Sequence, residues 1–460
     1  MFLCLIQFFF LNGIYLFLGF VLLFTLLYYV QIPLKPSIFT IILVYHFLQI
    51  MSGVWLSNFL EKDINYRSEF LGTATVFSYI GVLFLFLPVI YFQNKLKYVP
   101  FTKLKEQCDK LSIEKSFQLY VIFFFISNSL NAFAFANLGL AQIIFSFRNF
   151  KWFLFCLFGM QVFFKNKMKY HFYAIILVEF SLGFFSIFSD FKTVLFFSSF
   201  IYLFFLTKIN IKQLFISLFF FTFLFYVGVK WTSVKGEYRS YLNKGSKTQT
   251  VQVGKEDAFN KLLELSGSET DFNTSAAQFF DRLQYTYHLA KTMERIPAVL
   301  PYEDGGNIGS IISYVTLPRF FNPDKPIYNA SVKATKYTGL AYLGFESGVS
   351  VSLGYFADCY IDFGYYGMMF PLLILGFIYG YTYYNFITKS KFNILINYCL
   401  VVAIYMEMSA FESDGSLLLG RLLSNLLVFY LVKLFVLPWL DSYLKVKDYS
   451  TKKILSEKIN

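Results

Sequence analysis

Three short segments late in the chain hold the side chains best suited to chemistry. The first runs Leu-Pro-Arg-Phe-Phe-Asn-Pro-Asp-Lys-Pro from Leu317 to Pro326. Pro318, Pro323 and Pro326 stiffen its backbone and so hold the cations Arg319 and Lys325 in a restricted geometry. Arg282 precedes them on a stretch with helical periodicity. Arg binds a planar anion bidentately and Lys binds it as a point charge, so this set suits a phosphate or diphosphate. The plain alternative is that Arg319 and Lys325 pair with Asp324 and Glu303. The second segment is Asp358-Cys-Tyr-Ile-Asp362-Phe-Gly364. Its carboxylates are four residues apart, on one face of a helix, and either can serve as a general base if burial raises its proton affinity. If they sit at the membrane interface, they are simply solvated. The third is Phe411-Glu-Ser-Asp-Gly415, with Glu412 and Asp414, followed by Arg421. A charge inside a span is costly, so Arg421 is expected to face a bundle interior and pair with Glu412 or Asp414. His288 and Arg148 are outlying candidates, a second base and a further anion contact; packing and snorkelling are their ordinary roles.

These residues need elements to hold them, and the surrounding chain is apolar. Of 460 residues, 57% are hydrophobic and 63 are Phe. Apolar runs of roughly 18 residues or more recur, which marks membrane spans rather than a water-facing core. The expected fold is an all-α polytopic membrane protein with about 11 transmembrane helices, within a range of about 10 to 13. The expected organisation is a membrane region over residues 1–231 with about eight spans, a large loop domain over 232–355, a second membrane region over 356–438 with about three spans, and a basic tail over 439–460. The apolar N-terminus reads as a retained span.

Charge distribution gives the orientation. The net charge is +12, yet residues 232–355 hold 13 Lys/Arg against 12 Asp/Glu and carry only +1. The excess lies in short connections around Lys95–Lys115, Lys165–Lys169, Lys208–Lys212 and Lys389–Lys391, and in the tail from Lys445. Stepping along the spans puts all five on one side, which the positive-inside rule makes cytoplasmic. The large loop then lies outside. A basic chain with this distribution is not expected to bind nucleic acid.

Within the loop, Glu237–Gly267 is rich in Gly, Lys, Ser and Thr and is expected to be partly mobile. Asn273–Arg295 reads as one helix, capped by Asn273 or Thr274, with Ala276, Phe280, Leu283, Tyr287 and Ala290 on one face and Pro297 ending it.

Several classes are excluded. No Gly-rich loop with Gly-Lys-Ser/Thr is present, so no nucleotide motor is expected. His46, His171 and His288 stand far apart without Cys companions, so no zinc site and no cofactor are expected. No Gly-x-Ser-x-Gly elbow occurs.

The chain resembles the O-antigen polymerase (Wzy) type of oligosaccharide repeat unit polymerase. The resemblance rests on Arg282, on Leu317–Pro326, on the approach from Gly348 to Leu353, and on Tyr-Ile-Asp-Phe-Gly from Tyr360 to Gly364. Where that family usually has Glu just before this last segment, the chain has Asp358, a shorter carboxylate. The resemblance implies a C-type glycosyltransferase in the bacterial cytoplasmic membrane. Such an enzyme joins oligosaccharide units carried on polyprenyl diphosphate at the outer face, with a flippase and a chain-length regulator as companions. Asp358 matches that family's carboxylate position and is the first choice of base, while Asp362 and His288 compete on their chemistry and place. Arg282, Arg319 and Lys325 are the expected diphosphate contacts, and Arg148, Arg421, Glu412 and Asp414 are further candidate contacts to diphosphate or glycan. A ligase moving finished glycan to a lipid core shares this architecture. A lipid-linked oligosaccharide flippase is the rival that is not an enzyme, and it more naturally has short loops on both sides.

Overall fold

The computed structural model describes residues 11–30, 37–136, 140–184, 191–206, 210–246, 251–267, 271–317, 322, 324–325, 328–342, 350–389, 391–406 and 411–446. Arg319 lies outside them, as do Gly348 and Val349 of the Gly348–Leu353 approach. The chain runs α1 (Gly13–Val30), α2 (Ile38–Phe59), α3 (Leu71–Asn94), α4 (Phe101–Asp109), α5 (Ile113–Ala136), α6 (Ala141–Arg148), α7 (Phe150–Lys165), α8 (Lys169–Gly183), α9 (Phe191–Phe205) and α10 (Ile211–Leu242). It continues with α11 (Lys255–Gly267), α12 (Phe272–Leu283), α13 (Thr286–Arg295), α14 (Gly306–Thr316), α15 (Ala330–Thr338), α16 (Tyr355–Gly367), α17 (Met369–Thr388), α18 (Ile394–Met406), α19 (Gly415–Leu431) and α20 (Leu437–Leu444). Among the described residues there is no strand, only an isolated bridge between Leu111 and Lys445.

Among the described residues six helical stretches are long and apolar enough to cross a membrane, or seven if the bent pair α16–α17 counts as one. Two further expected spans, α9 and α18, are apolar but short. The expected span over Phe356–Phe386 is two helices meeting at 117°. Gly364, with φ 66° and ψ −161°, interrupts the helix just before that bend. Its left-handed φ is one that side-chain-bearing residues rarely adopt, and the Tyr302 ring lies 3.0 Å from where a Cβ would stand.

The bundle packs around α7 and α18, which are buried almost all round. A helix apolar on every side belongs at the centre of such an assembly. α3 and α17 approach closely because Gly376 has no side chain; a Cβ there would lie 2.0 Å from the Leu85 carbonyl oxygen. One ion pair is buried in the bundle. Lys151 Nζ on α7 lies 2.9 Å from Glu179 Oε1 on α8, and Tyr120 of α5 donates to the same oxygen at 2.6 Å.

The Lys-rich connections gather at one end. Lys115 Nζ donates to the Tyr443 carbonyl at 2.6 Å, Lys165 Nζ to the Leu111 carbonyl at 2.5 Å, and Asn393 Nδ2 to the Gln107 carbonyl at 2.8 Å. At the other end, Arg67 beyond α2 is ion-paired with Asp281 of α12. α10 runs unbroken from the apolar stretch through residue 231 to Leu242, across the expected boundary between membrane region and loop. Trp231, Val234, Tyr238 and Leu242 recur at helical spacing and form a second small core with Phe191, Ala258 and Leu265. The expected single helix over Asn273–Arg295 is two, α12 and α13, separated at Gln284–Tyr285. Asp271, rather than Asn273 or Thr274, caps the first by accepting the N–H groups of Asn273 and Thr274.

Candidate functional site

The connection 411–415 is the floor of the site. In the sequence it reads as an outer turn; in the fold it lies against α2 near the middle of that helix. The Phe411 N–H donates to Gln49 Oε1 at 3.0 Å. Gln49 Nε2 in turn donates to Glu412 Oε2, and Tyr45 donates to the same oxygen at 3.3 Å. Both donors lie on α2, four residues apart and therefore on one face.

Two cations, Lys192 and Lys235, lie within electrostatic reach of this carboxylate, and Arg239 and Arg282 lie within reach of those two. Lys235 is within electrostatic reach of Arg282, Arg239, Lys192 and Glu412. Lys192 is within reach of Glu412, Arg282 and Arg239. Among the described residues none of the four makes a salt bridge. Arg239 Nε is buried and takes no hydrogen bond among them.

The local sequence explains why these cations converge. Lys235 and Arg239 each follow a core residue, Val234 and Tyr238, so the stripe that anchors the end of α10 also fixes both cations one helical turn apart. Lys192 follows Phe191, which belongs to the same core. Arg282 stands three residues after Phe279. That ring packs on Gly228 of α10, where a Cβ would come within 2.7 Å of it, and lies 5.4 Å from the Phe225 ring.

The other carboxylates are held differently. Asp358 is 2% exposed. Its Oδ1 lies 2.5 Å from Lys333 Nζ, and its Oδ2 accepts the Gly415 N–H at 2.6 Å. Asp362 accepts the N–H groups of Asn307 at 2.9 Å and Ile308 at 2.7 Å, so it closes the first turn of α14 from outside. Asp414 is the N-cap of α19, accepting the Leu417 N–H at 2.9 Å. Asp358 and Asp414 interact through charge, and Lys333 lies between them in effect. Asp358 and Asp362 therefore each tie α16 to another element, whereas Asp414 caps its own helix.

The remaining candidates are dispersed. Lys325 donates to the Leu317 carbonyl at 2.8 Å and to that of Tyr314, and it lies 3.7 Å from the centre of the Tyr314 ring. It covers the open carbonyls at the end of α14. Arg148 lies over the Phe145 ring at 5.3 Å. Arg421 is exposed on α19 rather than turned into the bundle, while Glu412 and Asp414 take the partners described above. His288 Nδ1 is 2.8 Å from the Tyr342 hydroxyl, and its ring packs against Tyr285, Tyr287 and Tyr342. Burial pushes it down to about 4, so it is neutral at neutral pH.

Of the residues singled out in the sequence, the fold brings Asp358 and Asp414 within charge interaction, and it gives Arg282 and Glu412 two shared neighbours, Lys192 and Lys235. Sequence reasoning missed Lys192, Lys235 and Arg239 as site residues, and Lys333 as the partner of Asp358. The available signal was the 231, 234, 238, 242 spacing, which shows a helix continuing beyond the apolar stretch.

Among the described residues no group of three or more His, Cys, Asp or Glu could hold a metal ion. No curated protein and no solved structure matches the chain. A family model described as "Domain of unknown function (DUF8712)" matches residues 95–407, more than half of the chain; that span takes in all four cations and ends shortly before Glu412. The chain belongs to the DUF8712 family.

Proposed function

We propose that the protein is a membrane glycosyltransferase that joins oligosaccharide units carried on polyprenyl diphosphate, a polymerase of the kind its sequence resembles. The observation that carries this reading is the set Lys192, Lys235, Arg239 and Arg282, within electrostatic reach of one another where apolar bundle meets polar domain, with Lys192 and Lys235 also within reach of Glu412. Cations without carboxylate partners fit a ligand that brings its own negative charge. A diphosphate leaving group develops that charge as the glycosidic bond forms, and fixed cations stabilise it most where water is excluded. The seam suits a donor with a lipid tail in the bilayer and a glycan in water.

In this reading the basic end faces the cytoplasm, and α11 to α15 lie outside the cytoplasmic membrane. No nucleotide sugar is available there, so a lipid diphosphate is the natural activated donor. Lipid-linked oligosaccharide is both donor and acceptor, and the product is O-antigen, capsular or exopolysaccharide.

The test is a single-turnover reaction of purified protein with lipid-linked repeat unit. A ladder of longer lipid-linked chains supports polymerisation. Glycan transferred only to a lipid core points to a ligase. Absence of any transfer, with movement of the intact lipid across a vesicle membrane, points to a flippase and contradicts the proposal.

A further inference from the structure

Four buried or half-buried carboxylates lie near the seam, and their partners separate them. Asp358 has one oxygen on Lys333 and the other on the Gly415 N–H. Asp362 spends its two oxygens on the N–H groups of Asn307 and Ile308. Asp414 caps α19 through Oδ1, which accepts the Leu417 N–H, and its Oδ2 takes no hydrogen bond among the described residues. What sets Glu412 apart is the charge beside it, and its donors among the described residues, Tyr45 and Gln49, both reach one oxygen, Oε2. That fixes the carboxylate's orientation while leaving Oε1 for another partner. Glu412 is also the carboxylate that Lys192 and Lys235 feel.

We infer that Glu412 is the catalytic base of the transfer, with Tyr45 and Gln49 as its positioning residues. The inference rests on the glycosyltransferase reading above. The acceptor sugar hydroxyl attacks the donor anomeric carbon, and its proton passes to Glu412 Oε1. The bond between that carbon and the diphosphate oxygen breaks, and its electron pair leaves with the lipid diphosphate, whose added charge falls among Lys192, Lys235, Arg239 and Arg282. The proton then returns to water. Asp358, held by Lys333, then keeps the 411–415 connection in place through Gly415 rather than taking the proton.

The experiment compares wild type, Glu412→Gln and Tyr45→Phe. The substrate is lipid-diphosphate oligosaccharide extracted from producing cells, and undecaprenyl diphosphate is the glycan-free probe of anion binding. Glu412→Gln is expected to bind undecaprenyl diphosphate at least as tightly as wild type, since one negative charge is gone. Its turnover falls by about 100- to 10,000-fold, the range of a lost general base, and the acidic limb of the kcat profile disappears. Tyr45→Phe removes one donor to Oε2, so its acidic limb moves to higher pH; it decides the matter if Glu412→Gln does not accumulate. Wild-type kcat with an unchanged acidic limb in Glu412→Gln, or an unmoved limb in Tyr45→Phe, overturns the assignment. So does a loss of anion binding at unchanged kcat, which marks Glu412 as a structural counter-charge. If wild type makes no product, the glycosyltransferase reading falls and this assignment with it; if wild type is active and Glu412→Gln matches it, only the assignment falls.

Discussion

Gln49 and Phe411 are joined by a 3.0 Å hydrogen bond from the Phe411 N–H to the Gln49 side-chain oxygen. Gln49 sits near the middle of α2, so the 411–415 connection is sunk into the bundle rather than resting on its surface. Glu412 and Asp414 are thereby carried inward, one toward the cations and the other toward Asp358. A polar connection at this depth is tolerated where it is enclosed by protein or lines a wet cavity.

The placement of the large polar domain is tested by tags. Lys105 and Lys167 lie at the basic end of the bundle, and Gly245 lies just past the end of α10. Reporter fusions at Lys105, Lys167 and in the tail at Lys447 should read as cytoplasmic, and a fusion at Gly245 as external. A cytoplasmic signal at Gly245 contradicts a donor site on the outer face.

The buried pair of Lys151 and Glu179 predicts an asymmetry between single and double substitutions. Glu179→Gln leaves Lys151 buried without its counter-charge, a loss on the order of 3–5 kcal/mol for a broken buried pair. Replacing both at once, Lys151→Met with Glu179→Leu, should cost much less. Thermal unfolding in detergent reads this difference. Equal losses from the single and the double variant would show that the pair is not coupled.

His288 predicts acid sensitivity. Burial among tyrosines pushes it down to about 4 in the folded protein, while an unfolded chain has an ordinary imidazole near pH 6.5. Between those values the unfolded state binds a proton that the folded state does not. Stability is therefore lost as pH falls from about 6.5 toward 4. His288→Gln should flatten the fall in unfolding temperature across this window. An unchanged slope would show that other groups set the acid limit.

Much of the architecture is legible in the sequence. Apolar runs give the bundle, and the connections around Lys115, Lys165 and Asn393 meet with Tyr443 at one end. Legibility fails where backbone geometry decides. Nothing in the Phe356–Phe386 run announces a bend of 117°, although Gly364 is the residue that permits the break before it. Arg239 hides in a stretch whose Gly, Lys, Ser and Thr content suggests a mobile loop, and Lys235 just before it, while the helical spacing beneath points the other way. Asp358 and Asp362 stand out by type and spacing, but spacing cannot show that Lys333, Gly415, Asn307 and Ile308 occupy their oxygens. The Asn307 and Gly415 contacts cross 55 and 57 positions of sequence.

Release of undecaprenyl diphosphate in a single turnover tests the proposed transfer most directly. Purified wild type, given lipid-diphosphate oligosaccharide, should release one lipid diphosphate for each glycosidic bond formed. Arg239→Ala and Arg282→Ala should each slow that release by about 100-fold, the scale of a lost charge-stabilising donor at a transition state. Release at the wild-type rate by both variants, at normal protein levels, or no release by wild type itself, would contradict it.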